Sequence, residues 1–187
     1  MDLCTYHSHC NFCDGKAPAE DFVRAAIEAG FHSYGISSHS PLPFETRWSL
    51  SKGNVEAYLM EIKCLQEKYA GQIELYVGME IDYLNDDWGP AVEYFQRMPL
   101  DYRIGSVHLV TEEQTGEIMD MDGKFEDFRE NLRMVFRDDL KYLVEAYFKA
   151  SSRMVELGGF DFVAHLDKIS MNGSLMDSTL TEQEWYN

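Results

Sequence analysis

Ile73-Glu74-Leu75-Tyr76-Val77-Gly78-Met79-Glu80-Ile81-Asp82-Tyr83 is the stretch that decides the fold of this chain. Leu75–Met79 reads as a short apolar strand, and the next residue, Glu80, is a carboxylate at its C-terminal end. Outward in both directions the same arrangement recurs. His7 and His9 follow Leu3–Tyr6, His39 follows Tyr34–Ser38, His108 follows Arg103–Val107, and His165 follows Phe162–Ala164. Five of the chain's six histidines occupy such strand ends. In barrels of parallel strands alternating with helices, the C-terminal rim is where separate strands deliver side chains to one site. The placement predicts a polynuclear metal site and a hydrolase.

The segments between these strands carry helical signals. Pro18 opens a helix with Glu20 and Asp21 in its first turn, an apolar stripe through Phe22, Val23, Ala26, Ile27 and Ala29, and Gly30 as its end. Asn54 is a plausible N-cap for a helix to about Ala70. A short helix is expected around Pro90–Gln96, a hairpin or irregular excursion over Leu109–Met121, and a long helix, kinked or divided, over Phe125–Leu157. Gly158-Gly159 then returns the chain to a fifth strand, Asp161–His165. The β-α-β-α alternation predicts an α/β protein, a parallel sheet or barrel forming a single domain over residues 1–187.

Composition narrows the function. The formal charge is −17, from 33 acidic and 16 basic residues, and a field of that sign repels phosphate backbones, so no nucleic-acid partner is expected. No apolar run is long enough for a membrane span, and Met1-Asp2-Leu3-Cys4 lacks a signal peptide's basic flank, so the expected place is the cytoplasm. Cys10-Asn11-Phe12-Cys13 has no second such pair to complete a four-thiolate site, and the four cysteines are expected to be reduced and unligated. Cys10, close to His9, is the one placed for oxidation or metal capture.

His7-Ser8-His9 sets two imidazoles at i and i+2, on one side of an extended backbone, so both can reach one ion. Imidazoles suit zinc, iron and similar metals, and a carboxylate such as Glu80 can bridge two ions. Together, Tyr6-His7-Ser8-His9, Cys13-Asp14-Gly15, Ile36-Ser37-Ser38-His39-Ser40-Pro41-Leu42-Pro43, Gly78-Met79-Glu80-Ile81-Asp82-Tyr83, Gly105-Ser106-Val107-His108 and Phe160–Asp167 resemble, in order, the motifs of the PHP (polymerase and histidinol phosphatase) superfamily, in its histidinol-phosphatase branch.

The resemblance implies a distorted seven-stranded (β/α) PHP-type barrel with up to three divalent metal ions (zinc, iron or manganese) at its rim. It implies His7, His9, Asp14, His39, Glu80, His108 and His165 as ligands, with Glu80 bridging. It implies hydrolysis of a small phosphate monoester, above all L-histidinol phosphate to L-histidinol and phosphate in histidine biosynthesis. The alternatives are a phosphoesterase of nucleotides or nucleic-acid ends, and a non-catalytic metal-binding pseudoenzyme. The family's later Glu-x-Asn segment and terminal Asp-x-His find no counterpart before Asn187. The expectation is a barrel truncated after about five βα units, in a longer protein or in a homo-oligomer that covers the open edge.

Arg47, Lys168 and Arg153 are candidate phosphate clamps, because guanidinium and ammonium groups donate charge-assisted hydrogen bonds. Asp167 is placed either to orient His165 and take part in proton transfer, with His165 itself a catalytic candidate, or for structure alone. Asp82, two residues past Glu80, reads as support for the site, as a contact for a substrate ammonium or as surface. His32, at the opposite end of its strand, reads as exposed or capping.

Overall fold

The computed structural model describes residues 3–186; Met1 and Asp2, half of the segment expected to carry no signal peptide, and Asn187 lie outside them. The elements are β1 (Leu3–Thr5), α1 (Ala19–Glu28), β2 (Phe31–Ile36), α2 (Val55–Lys68), β3 (Glu74–Asp82), α3 (Glu93–Gln96), β4 (Tyr102–Ser106), β5 (Leu109–Thr111), β6 (Ile118–Asp120), α4 (Phe125–Phe136), α5 (Leu140–Leu157), β7 (Phe162–Val163) and α6 (Ser170–Met176). Among the described residues β1, β2, β3, β4 and β7 form one parallel sheet in that order, and β5 and β6 form a separate antiparallel hairpin. The α/β class and the five βα units of a partial barrel are as expected.

β3 is the spine of the sheet. Every residue from Val77 to Asp82 is buried, as befits a central parallel strand covered on both faces. Its register sets Glu80 opposite Ile104 and Asp82 opposite Ser106 of β4. On one side α1 and α2 pack Val23, Ala26, Tyr58, Ile62 and Leu65 against Ile36, Val77, Met79 and Ile81. On the other, α4 and α5 pack Phe128, Leu132, Phe136, Leu143, Val144 and Tyr147 around Val107 and Val110.

Tyr58 ties α2 to the rim. Its ring is fully buried, its hydroxyl lies 2.9 Å from the Ile36 carbonyl and 2.7 Å from that of Gly78, and it accepts from the Ser38 N–H at 3.3 Å. Inside the sheet, the Tyr102 ring covers Gly35 and Gly78 so closely that a β-carbon at either would collide with it.

Two local expectations are corrected, and two pairs of alternatives are resolved. Pro18 is the residue before α1 rather than its first member, and Asn54 makes no side-chain cap, because a 3-10 turn over Lys52–Asn54 leads into α2 instead. The long helix is divided: Arg137 and Asp138 take left-handed backbone angles (φ 57 and 63), and Asp139 starts α5 by accepting from the Tyr142 N–H at 2.9 Å. Leu109–Met121 is a hairpin, as one of the two readings had it.

Candidate metal centre

Each expected ligand arrives at the rim through the backbone. Ser37 N–H donates to the Ser8 carbonyl at 2.8 Å and the Ser8 hydroxyl donates to the Gly35 carbonyl at 2.8 Å, so residues 7–9 run on beside β2 past the end of β1. His39 pairs with Glu80 in a parallel bridge, Glu80 N–H donating to Ser38 (3.1 Å) and Ser40 N–H to Glu80 (2.7 Å). One residue, Val107, separates His108 from β4, and one, Ala164, separates His165 from β7.

All five imidazoles gather on Glu80, whose side chain is wholly buried. His7 Nε2 and His9 Nε2 each lie 3.0 Å from Oε2, and His39 Nδ1 lies 3.3 Å from it. On the other oxygen, Oε1, His165 Nε2 lies at 2.9 Å and His108 Nε2 at 3.6 Å. Asp14 stands beside them, 2.9 Å from His9 Nδ1 and 3.9 Å from His39 Nε2. The structure thus brings together all seven residues expected as ligands. His32 is exposed at the start of β2, away from the cluster.

The donors fall into groups whose ligand atoms lie within 4.8 Å of one another: His7, Glu80 and His165; His9, His39 and Glu80; His9, Cys13 and Asp14; and His39, Asp82 and His108. Among the described residues, the buried side-chain atoms left without a hydrogen bond are His9 Nε2, His39 Nδ1 and Asp82 Oδ2, all members of these groups. A buried polar atom without a partner is costly. The two imidazole nitrogens among these three atoms, both beside the buried Glu80 carboxylate, fit divalent ions, which imidazole and carboxylate donors suit.

Protonation points the same way. Burial would raise Glu80, but hydrogen bonds from His165 and His7 and the close approach of His9 hold it well below the usual carboxylate range. Burial would lower His9, yet Cys13, Glu80 and Asp14 push it up to about 11. Burial likewise opposes the charge on His108, and Asp82 prevails, raising it to about 9. His39 goes the other way, down to about 4, because burial outweighs the pull of Glu80 and Asp82. Protons on His9 and His108 therefore offset part of the acidic charge, and ion uptake through these rings must release them.

Next to the cluster a cavity of about 650 Å³ is lined by Asp14, His39, Arg47, Trp48, Asp120, Asp122, Gly123, Asp127, Asn131 and Lys168. Two of the three expected phosphate clamps, Arg47 and Lys168, face it. Arg153 does not: it lies on the outer side of α5, paired with Asp86 at 2.6 Å and Glu156 at 3.2 Å. Asp167 also turns away, since its carboxylate accepts from the Tyr186 hydroxyl rather than meeting His165.

The sequence reading missed the far wall. Trp48 packs its indole against His39 and His108 (ring centroids 4.9 and 5.7 Å) and donates its N–H to Asp120 at 2.9 Å. Asp122 holds Lys168 Nζ at 2.8 Å and lies 3.7 Å from His108 Nε2. Among the cysteines, all free, Cys10 is buried near Ser38, and it is Cys13 that joins His9 and Asp14.

The PHP domain model matches residues 5–186. This chain belongs to the PHP domain family. Its likeness runs to the histidinol-phosphatase branch. A Deinococcus radiodurans protein named "Probable histidinol-phosphatase" is 26% identical over 174 residues, covering 88% of this chain and 60% of its own length. The chain thus spans about three-fifths of that relative. A Listeria monocytogenes structure described as a candidate histidinol phosphatase superposes with a TM-score of 0.74 at 23% identity, over 90% of this chain and 68% of its own. The histidinol phosphate phosphatase of Lactococcus lactis, solved with zinc, L-histidinol and phosphate, gives a TM-score of 0.60 at 19% identity, over 89% and 59%. Among the described residues no helix is long and apolar enough to cross a membrane.

Proposed function

We propose that this PHP chain belongs to a metal-dependent phosphatase of small phosphate monoesters, with L-histidinol phosphate as substrate and L-histidinol and phosphate as products. The observation that carries the reading is the convergence of five imidazoles on one fully buried carboxylate beside an open cavity. The naming of the Deinococcus relative and the ligands of the Lactococcus structure support the choice of substrate. His7, His9, Asp14, His39, Glu80, His108 and His165 would hold up to three ions, of zinc, iron or manganese, with Glu80 shared between them. Such ions supply positive charge to phosphoryl oxygens and acidify water, which makes attack at phosphorus feasible at neutral pH.

The remaining work falls to the chain itself. Arg47 and Lys168, both in the lining of the cavity, would offer charged N–H donors to the phosphate oxygens, Lys168 steadied by Asp122. Asp120, Asp122 and Asp127 give that cavity a negative wall, suited to the cationic end of an amino alcohol phosphate. The free cysteines agree with a reducing, cytoplasmic setting.

The test is phosphate release from L-histidinol phosphate, a generic aryl phosphate and nucleoside monophosphates, with added zinc or manganese and with chelator. Chelator-sensitive turnover favouring L-histidinol phosphate is expected. A preference for nucleotides would move the reading to the other phosphoesterases of the family, and ion binding without turnover on any ester would leave a binding protein.

A further inference from the structure

Asp82 is wholly buried at the end of β3, two residues from Glu80 and therefore on the same face of the strand. Three donors converge on one of its oxygens, Oδ1: the His108 ring nitrogen Nδ1 at 2.7 Å, the His108 backbone N–H at 3.0 Å and the Ser106 hydroxyl at 3.4 Å. The other oxygen, Oδ2, is buried and makes no hydrogen bond. An ionised carboxylate only accepts, so the nitrogen facing it must carry the proton. The His108 ring is thereby fixed with Nδ1–H toward Asp82 and Nε2 toward Glu80, 3.6 Å away.

We propose that Asp82 is a positioning residue of this centre: from the neighbouring strand it locks the orientation and tautomer of His108, so that Nε2 is the nitrogen offered to an ion. The ring has little other support for that choice. The Ser106 hydroxyl, 3.3 Å from Nδ1, can donate or accept and does not discriminate between tautomers. Trp48 and His165 pack against the ring at centroid distances of 5.7 and 4.8 Å, which limits its tilt but not which nitrogen is protonated. A carboxylate behind a ligating imidazole both orients the ring and raises its basicity. The proposal rests on reading the cluster as a metal centre.

The test has two arms. In zinc-loaded protein with ¹⁵N-labelled histidine, the wild type should show His108 as a zinc-bound Nε2 with a slowly exchanging Nδ1 proton, a resonance identified by its loss in His108→Asn. Zinc affinity by chelator competition should fall about 10- to 100-fold in Asp82→Ala, the usual effect of removing such a support. Asp82→Asn should recover to within a few-fold of wild type, because its amide oxygen can take the place of Oδ1 and accept from the same two N–H groups.

Equal damage in both variants, with one ion per chain lost, would make Asp82 a ligand and overturn the proposal. So would unchanged affinity in a folded Asp82→Ala, or a zinc-loaded wild type whose His108 lacks the Nδ1 proton. If Asp82→Ala does not fold, Asp82→Asn and the wild-type spectrum decide between these outcomes. A wild type that takes up no zinc at all overturns the metal reading itself, a result distinct from zinc binding that ignores Asp82.

Discussion

The rim of the parallel sheet and the wall raised by the hairpin and the loop before α2 bound the same cavity, but they are built differently. On the rim the imidazoles lie just past strand ends and Glu80 lies near the end of β3, so the backbone ladder places them: the Ser38–Glu80–Ser40 hydrogen bonds align His39 with Glu80, and the β3–β4 register carries Asp82 to His108. The wall has no such ladder. Trp48 comes from an irregular loop and is held by its indole bond to Asp120, and Asp122 follows β6 and is held by Lys168. Geometry set by the sheet yields a crowded centre on a buried carboxylate. Geometry set by single side-chain contacts yields an open mouth, the part that can vary with substrate while the centre stays fixed.

The sharpest way to break this contrast is at its middle. Glu80→Gln removes the one charge that His7, His9, His39, His108 and His165 all approach, and should lower zinc affinity by more than about 100-fold, beyond the range of outer supports. Isothermal titration on folded variant and wild type measures it. Acid should weaken the same centre. His9 and His108, raised to about 11 and 9, hold protons below those values, so zinc affinity should rise with pH by about tenfold per unit for each proton displaced, two protons below about pH 9 and one from there to about 11. Affinity that stays flat between pH 6 and 9 would mean that the ion binds elsewhere.

Changes in the wall should spare ion content and act on the substrate. Arg47→Ala or Lys168→Ala should raise KM for the phosphate ester about tenfold each, the worth of one charge-assisted hydrogen bond. Trp48→Phe keeps a ring against His39 and His108 but loses the bond to Asp120, about 1 kcal/mol, for a change in KM of about fivefold with zinc stoichiometry intact. If the wall variants lost their zinc, the division between sheet-built centre and loop-built mouth would fail.

The same division explains what was legible in the sequence. A strand that ends near a ligand leaves a local mark, an apolar run followed by His or Glu, and four such runs besides Leu75–Met79 located Glu80 and the five imidazoles, while Asp14, in the loop after β1, came only from the family resemblance. Asp120 and Asp122 left none, because in a chain of net charge −17 two more acids look like solvated surface, and only the hairpin turns them inward. Arg153 failed for a related reason: lying before a ligand strand says nothing about which face of α5 a residue occupies, and its neighbour Met154 is the one that packs inward. The division between α4 and α5 was one of the two readings of Phe125–Leu157, and Asp139, which caps α5, is the residue whose type marks the place.

The central claim is that Glu80 and the imidazoles around it are a metal centre. Anomalous diffraction at the zinc edge from crystals of the zinc-loaded chain tests it most directly. The account predicts peaks about 2.0–2.2 Å from Glu80 oxygens and from imidazole nitrogens of the His7–His9–His39–His108–His165 cluster, more than one per chain. Zinc found only on surface carboxylates, with the imidazoles still hydrogen-bonded to Glu80, would contradict it.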